Sequence, residues 1–137
     1  MVRGLYNMAI SEVKQLFKDI MYFNDSDELD INKSLFLHYD MTSIDFIDFA
    51  FELKKKFSVD IDPDELWPVN KMATSEEYYS LQEKQWTSVG LEKLNQVLSF
   101  SDKPAVTDRS VELKELYDYF TLTYVNSKIA SLTSADN

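Results

Sequence analysis

No cysteine occurs among the 137 residues, which excludes a disulfide framework, a thiolate zinc site and a cysteine nucleophile. Only two glycines are present, Gly4 and Gly90, so no glycine-rich loop is available to cradle a phosphate or a dinucleotide. The one histidine, His38, is the only imidazole that could serve a Ser-His-Asp arrangement, and such triads depend on spatial geometry rather than nearness in sequence. Basic residues are scarce: 14 against 24 acidic ones, for a net charge of -10. That sign is wrong for neutralising phosphates, so no nucleic-acid ligand is expected. No uncharged apolar run approaches the roughly 18 residues of a membrane span. The opening "MVRGLYNMAI" is soon interrupted by Ser11, Glu12 and Lys14 and lacks the apolar core of a signal peptide. The expectation is a cytoplasmic protein with no membrane span.

What is present points to a folded helical chain. Apolar residues make up 45% and aromatics 14%, enough to bury a core despite the charge, and the length suits one domain over 1–130 with a flexible tail over 131–137. Val13, Leu16, Phe17 and Ile20 recur at helical spacing from Ser11 to Phe23, with Ser11 as N-cap. A long acidic loop follows. Its "DSDELD" resembles the start of a calcium loop, but Asp30 and Phe36 stand where glycine and glutamate are required, so that motif is rejected. A second helix is predicted from Ser43 to about Phe57. Pro63 starts a short turn that Pro68 ends, with Val59 and Ile61 inward. Helices are then predicted at about Ser75 to Gln85 and Ser88 to Phe100, the latter striped by Val89, Leu91, Leu94, Val97 and Leu98. A final helix is predicted from about Val111 to Ile129. The fold class expected is all-α.

Charge is concentrated. From Asp19 to Glu65 there are thirteen acidic residues against four lysines, which is nearly all of the net charge. Such a field steers basic protein surfaces into encounter. Within it lies "TSIDFIDFAFELKKKF". At about 100° per residue, Phe46, Phe49, Ala50, Leu53 and Phe57 form one apolar face, ample for a core. Ile44, Ile47 and Phe51 fall on the opposite side, interleaved with Asp45, Asp48 and Glu52. A helix lying on a core is normally polar there. Two readings stand: a docking surface, with carboxylates steering and apolar side chains supplying burial, or a face covered by another part of the chain near Tyr78 and Trp86. Thr42 as N-cap with Asp45 three residues later forms a capping box, which makes Ser43 the first helical residue and leaves its hydroxyl free. A helix start offers unpaired N–H groups and the positive dipole end, a favourable place for an attached phosphate.

The stretch "MTSIDFIDFAFELKKKFSVDI" resembles the acyl carrier protein signature, whose core is Asp-Ser-Leu followed by an amphipathic helix and a Phe-Gly-Ile-type exit. Ser43 matches the family's serine, Ile44 the leucine after it, and "FSVDI" the exit. The helix at Ser11 to Phe23, the acidic loop and "VELKELYDYF" match the family's first helix, first loop and last helix. The resemblance implies an acyl-carrier-protein-like helical bundle that is not an enzyme. It implies a covalent 4'-phosphopantetheine arm on Ser43, drawn from coenzyme A by a phosphopantetheinyl transferase. Acyl groups would ride on that arm as thioesters to loading, transfer and condensing enzymes of fatty-acid, lipid or polyketide type. Asp40, Ile44, Asp45, Ile47, Asp48, Phe51 and Glu52 would form the docking face of a monomer. Thr42 stands where the family has Asp, and the upstream glycine is missing from "HYDMTS". A helical insertion over about 69–106 is extra, in which "WTSVGLEKLNQVL" resembles a Thr-x-x-Gly-Leu helix of long bacterial carriers; it either enlarges the core or, through Tyr78, Tyr79 and Trp86, lines an acyl groove. The other readings are an unmodified helical adaptor, binding a partner through Ile44, Ile47 and Phe51, and a small hydrolase built on Ser43 and His38.

Overall fold

The computed structural model describes the backbone of residues 2–134 and the side chains of residues 9–133. Among the described residues seven α-helices and one small hairpin follow in order: α1 (Val2–Met21), α2 (Ser43–Phe57), α3 (Pro63–Leu66), α4 (Val69–Met72), β1 (Tyr79–Ser80), β2 (Gln85–Trp86), α5 (Ser88–Leu98), α6 (Leu113–Leu116) and α7 (Leu122–Ser134). Short 3-10 turns extend α5 over Ser99–Ser101 and α6 over Tyr117–Tyr119. The chain is mostly helical, as an acyl-carrier-like bundle requires.

α1 packs against α7 and α2, and α7 also packs against the turn that ends α5. The shared core takes Val13 and Phe17 from α1, Phe49, Ala50 and Leu53 from α2, Leu94 and Leu98 from α5, and Tyr124, Val125 and Ile129 from α7. Phe17 meets Phe49 edge to face at 5.8 Å, which joins the first two helices. Val59 and Ile61 do turn inward between α2 and α3, and Pro63 opens α3 at a position where a missing N–H costs nothing. Among the described residues no helix is long and apolar enough to cross a membrane, and no group of three or more acidic or histidine side chains is placed to hold a metal ion.

Four expectations are corrected. The first helix starts at Val2, so Ser11 lies within it and caps nothing; the side chains of residues 1–8, where a leader was sought, lie outside the described residues. The helix expected at Ser75 to Gln85 is a turn followed by the antiparallel hairpin, with Tyr79 opposite Trp86 and Ser80 opposite Gln85. Trp86 decides this: its ring is buried, its N–H donates to the Arg109 carbonyl at 2.8 Å and Arg109 Nε donates back to its carbonyl at 2.8 Å. The insertion is therefore helical at its two ends and a hairpin between. Val89, placed on the buried stripe of α5, is 54% exposed. Finally, the last helix is cut at Phe120–Thr121. Ser34 Oγ donates to the Tyr117 carbonyl at 2.7 Å, Leu35 N–H donates to the Phe120 carbonyl at 2.9 Å, and Thr121 Oγ1 restarts the helix by accepting from Tyr124 N–H at 3.1 Å. The restarted helix runs through Ser134, into the stretch expected as a tail, whose last three positions lie outside the described residues.

The hairpin is locked to α5 by an unusually close approach. Thr87 caps α5, its Oγ1 accepting from Gly90 N–H at 2.9 Å and donating to the Glu77 carbonyl at 2.6 Å, while its own N–H donates to the Tyr78 carbonyl at 2.9 Å. A Cβ on Gly90 would lie 1.9 Å from that same carbonyl oxygen. The Thr-x-x-Gly spacing thus has a physical reason: a cap and a residue with no side chain, at one crossing point.

Candidate functional site at the start of α2

Thr42 has extended backbone and caps α2. Its Oγ1 accepts from Asp45 N–H at 3.1 Å and its N–H donates to Asp45 Oδ2 at 3.0 Å, so the capping box read from the sequence is formed. Phe46 N–H is satisfied by the Thr42 carbonyl at 2.9 Å. The N–H groups of Ser43 and Ile44, the first two of the helix, have no carbonyl beneath them in the helix. The Ser43 side chain is exposed and makes no hydrogen bond to His38, whose ring sits edge-on to Tyr39 at 4.6 Å. These features fit a phosphate group: an accessible hydroxyl beside two unpaired backbone donors at the positive end of a fifteen-residue helix.

The chain enters and leaves this helix through two left-handed residues. Asp40 has φ 57° and Ser58 has φ 52°. Both stand in the stretches where the resemblance led one to expect glycine, upstream of the serine and in the exit. Asp tolerates this region better than most residues, so the turn is kept without the glycine. The residue letters show a glycine missing but not the backbone angle that Asp40 supplies in its place. Thr42 likewise supplies the capping oxygen that Asp would.

The two faces of α2 separate as the angles require. Phe49, Ala50 and Leu53 are fully buried, and Phe46 and Phe57 are half-buried against the core. Ile44 is 71% exposed, Ile47 53% and Phe51 61%. Tyr78 and Trp86 do not cover them, because Trp86 is buried in the hairpin, where its Nε1 donates to the Val111 carbonyl at 3.3 Å. Asp40 and Asp48 are exposed, whereas Asp45 and Glu52 are half-buried, and one Asp45 oxygen is occupied by the cap. At the far end, Lys54 lies 3.7 Å from Asp60 and 3.6 Å from Asp62, Lys56 lies 4.0 Å from Glu12, and Lys55 stands over the Phe51 ring at 5.9 Å. Exposed pairs of this kind contribute little to stability.

Two features near the site were not foreseen. Phe46, one turn after Ser43, meets Phe36 at 5.6 Å, and Phe36 meets Tyr117 at 5.3 Å, a row of half-buried rings leading away from the helix start. Beyond it lies an open concavity of about 300 Å³ lined by Pro68, Lys71, Met72, Thr74, Ser75 and Tyr78. Tyr78 was anticipated in such a place. Tyr79 and Trp86 are not part of its lining; they pack on each other at 5.4 Å.

A helical bundle that offers an exposed hydroxyl on the first turn of an amphipathic helix, beside a bare apolar and acidic face, has the form of a carrier module. Residues 11–70 match the family model described as the phosphopantetheine attachment site, and over that segment the chain is similar to the acyl-carrier-type, phosphopantetheine-binding family. The match ends within α4, so the hairpin, α5, α6 and α7 lie beyond it. Domains of this family are the attachment sites of a covalent 4'-phosphopantetheine and are carriers rather than catalysts. No curated protein and no solved structure matches the chain.

Proposed function

We propose that the chain carries acyl groups as thioesters on a 4'-phosphopantetheine arm attached to Ser43, and that the face made by Asp40, Ile44, Asp45, Ile47, Asp48, Phe51 and Glu52 docks the enzymes that load, extend and unload it. The observation that carries this reading is the exposed Ser43 hydroxyl at the first position of α2, inside the segment that matches the attachment-site family. In the attachment step Ser43 Oγ forms a phosphodiester with the pantetheine-bearing phosphorus of coenzyme A. The pyrophosphate bond breaks, adenosine 3',5'-bisphosphate leaves, and the serine proton passes to a base of the transferase. The group, once bound, supplies the thiol on which thioesters form. The chain's own residues hold the helix start and present the docking face: Thr42 and Asp45 fix the first turn, and the unpaired N–H groups of Ser43 and Ile44 face the phosphate position.

Partners with basic surfaces suit the acidic stretch from Asp19 to Glu65, and the pathway is one of fatty-acid, lipid or polyketide type in the cytoplasm. The test is incubation of the full chain with coenzyme A and several broad-specificity phosphopantetheinyl transferases, read by intact mass. Wild type gains one arm and Ser43→Ala gains none. Failure of the wild type with every transferase contradicts the carrier reading, and a gain that survives Ser43→Ala contradicts the site. The unmodified adaptor is favoured by one observation: Ile44, Ile47 and Phe51 are bare without any arm. It predicts partner binding that is identical for wild type and Ser43→Ala.

A further inference from the structure

We propose that the concavity beside α4 seats the far end of the carried acyl group and selects a cargo that ends in a carboxylate, received by Lys71. The inference rests on the carrier reading of Ser43 and deepens it by naming the cargo class.

The lining has the make-up of a ligand site, with apolar walls from Pro68, Met72 and Tyr78 and a few polar groups placed among them. Its volume of about 300 Å³ sits at the bottom of the usual range of about 300–1,000 Å³, which suits the end of an acyl chain better than a whole cofactor. Lys71 supplies the charge. Like most of the lysines, Lys71 has no carboxylate within 4.0 Å among the described residues, so its ammonium is open to an anionic group. Thr74 Oγ1 donates to the Lys71 carbonyl at 2.6 Å, which pins the turn that closes the concavity and leaves the ammonium as the one cationic group in the lining.

Position supports the same occupant. From Ser43 a helical turn leads to Phe46, whose ring meets Phe36, which meets Tyr117. Tyr117 Oη donates to Asn70 Oδ1 at 3.4 Å, and Asn70 is the neighbour of Lys71 on α4. One helical turn of about 5 Å and three contacts of about 5 Å each put α4 on the order of 20 Å from the attachment point. A pantetheine arm has about as many backbone atoms as five extended residues, roughly 17 Å, so its acylated end reaches the concavity along a row of half-buried rings. An occupant tethered in this way needs only millimolar affinity, because a short flexible tether gives a local concentration of about that size.

The test uses the unmodified full chain and free thioesters, so it does not depend on loading at Ser43. Adipoyl-pantetheine and hexanoyl-pantetheine, equal in carbon number and differing in the terminal carboxylate, are titrated while backbone amide shifts are followed. The expected result is a set of shifts over residues 68–78 with a Kd of a few millimolar or less for adipoyl-pantetheine. Lys71→Met should weaken that ligand about fivefold, as for a partly exposed ion pair, and leave hexanoyl-pantetheine within about twofold. Shifts confined to α2 and α3, equal affinity for the two thioesters, or an unchanged Kd in Lys71→Met would each overturn the proposal. A failure of arm transfer in the intact-mass assay counts against the carrier reading and is a separate result.

Discussion

Ile47 and Phe49 stand two residues apart on α2, and replacing each tells whether the bare face exists for a partner. Ile47 is 53% exposed, so Ile47→Asp gives up about half of the 1.5–3 kcal/mol that full burial of such a side chain contributes. The lower helix propensity of Asp adds about 0.5 kcal/mol. A fold loss of about 1.2–2 kcal/mol follows, a fall in Tm of roughly 4–10 °C for a chain of this size. Phe49 is fully buried against Phe17, and Phe49→Ala should cost about 3–5 kcal/mol, a large part of a typical total of about 5–15 kcal/mol. On arm transfer the order reverses. Ile47 lies between Ile44 and Phe51, so a new charge there buries an unpaired carboxylate at the centre of any docked complex and costs at least about 2 kcal/mol, roughly thirtyfold in kcat/KM. The assays are thermal unfolding by circular dichroism and transfer kinetics read by intact mass. Should Ile47→Asp unfold the chain as Phe49→Ala does, the face belongs to the core; should transfer stay within twofold of wild type, the face is not where the transferase docks.

Other expectations follow from particular contacts. Gly90→Ala puts a Cβ 1.9 Å from the Tyr78 carbonyl oxygen, and the strain, about 1–3 kcal/mol or more, should outweigh the roughly 1 kcal/mol gained in helix propensity; a melting temperature equal to wild type contradicts the close packing of hairpin on α5. Ser58→Gly relieves a left-handed residue at φ 52° and should raise stability by up to about 1 kcal/mol, measured by urea unfolding. Burial pushes the Tyr124 phenol well above its usual value, so the folded state favours the neutral form. Its contribution is fully present below about pH 10 and is lost as pH rises further, and Tyr124→Phe should flatten that alkaline decline. The same substitution leaves the Leu66 carbonyl, which Tyr124 Oη reaches at 2.7 Å, without its donor, at a cost of about 1–3 kcal/mol near neutral pH.

How far the sequence could be read depends on whether the deciding interaction was local. α2 was legible because periodicity, cap and face all lie within fifteen residues, and the Thr42–Asp45 box and the buried Phe49, Ala50 and Leu53 stand where spacing put them. The break in the last helix was not legible, since apolar periodicity runs through it; the interruption comes from Ser34 and Leu35, more than eighty positions away, taking the carbonyls of Tyr117 and Phe120. Thr121 was the one local signal, a capping residue inside an apolar run. The hairpin was hidden for another reason. Its turn uses Lys84 at φ 55° in place of an Asn-Gly pair, and its register is set by Arg109 beyond α5. The scarcity of glycine does not mean few left-handed turns, because Tyr22, Asp40, Ser58, Lys84 and Asp102 all adopt them.

The central claim is that Ser43 is the residue that carries the arm. The most direct measurement is fragmentation mass mapping of the full chain purified from cells that co-express a broad-specificity phosphopantetheinyl transferase. The account predicts a single phosphopantetheine on the peptide that contains Ser43, localised to that hydroxyl. An arm on another serine such as Ser34, Ser58 or Ser88, or no arm on any peptide, would contradict it.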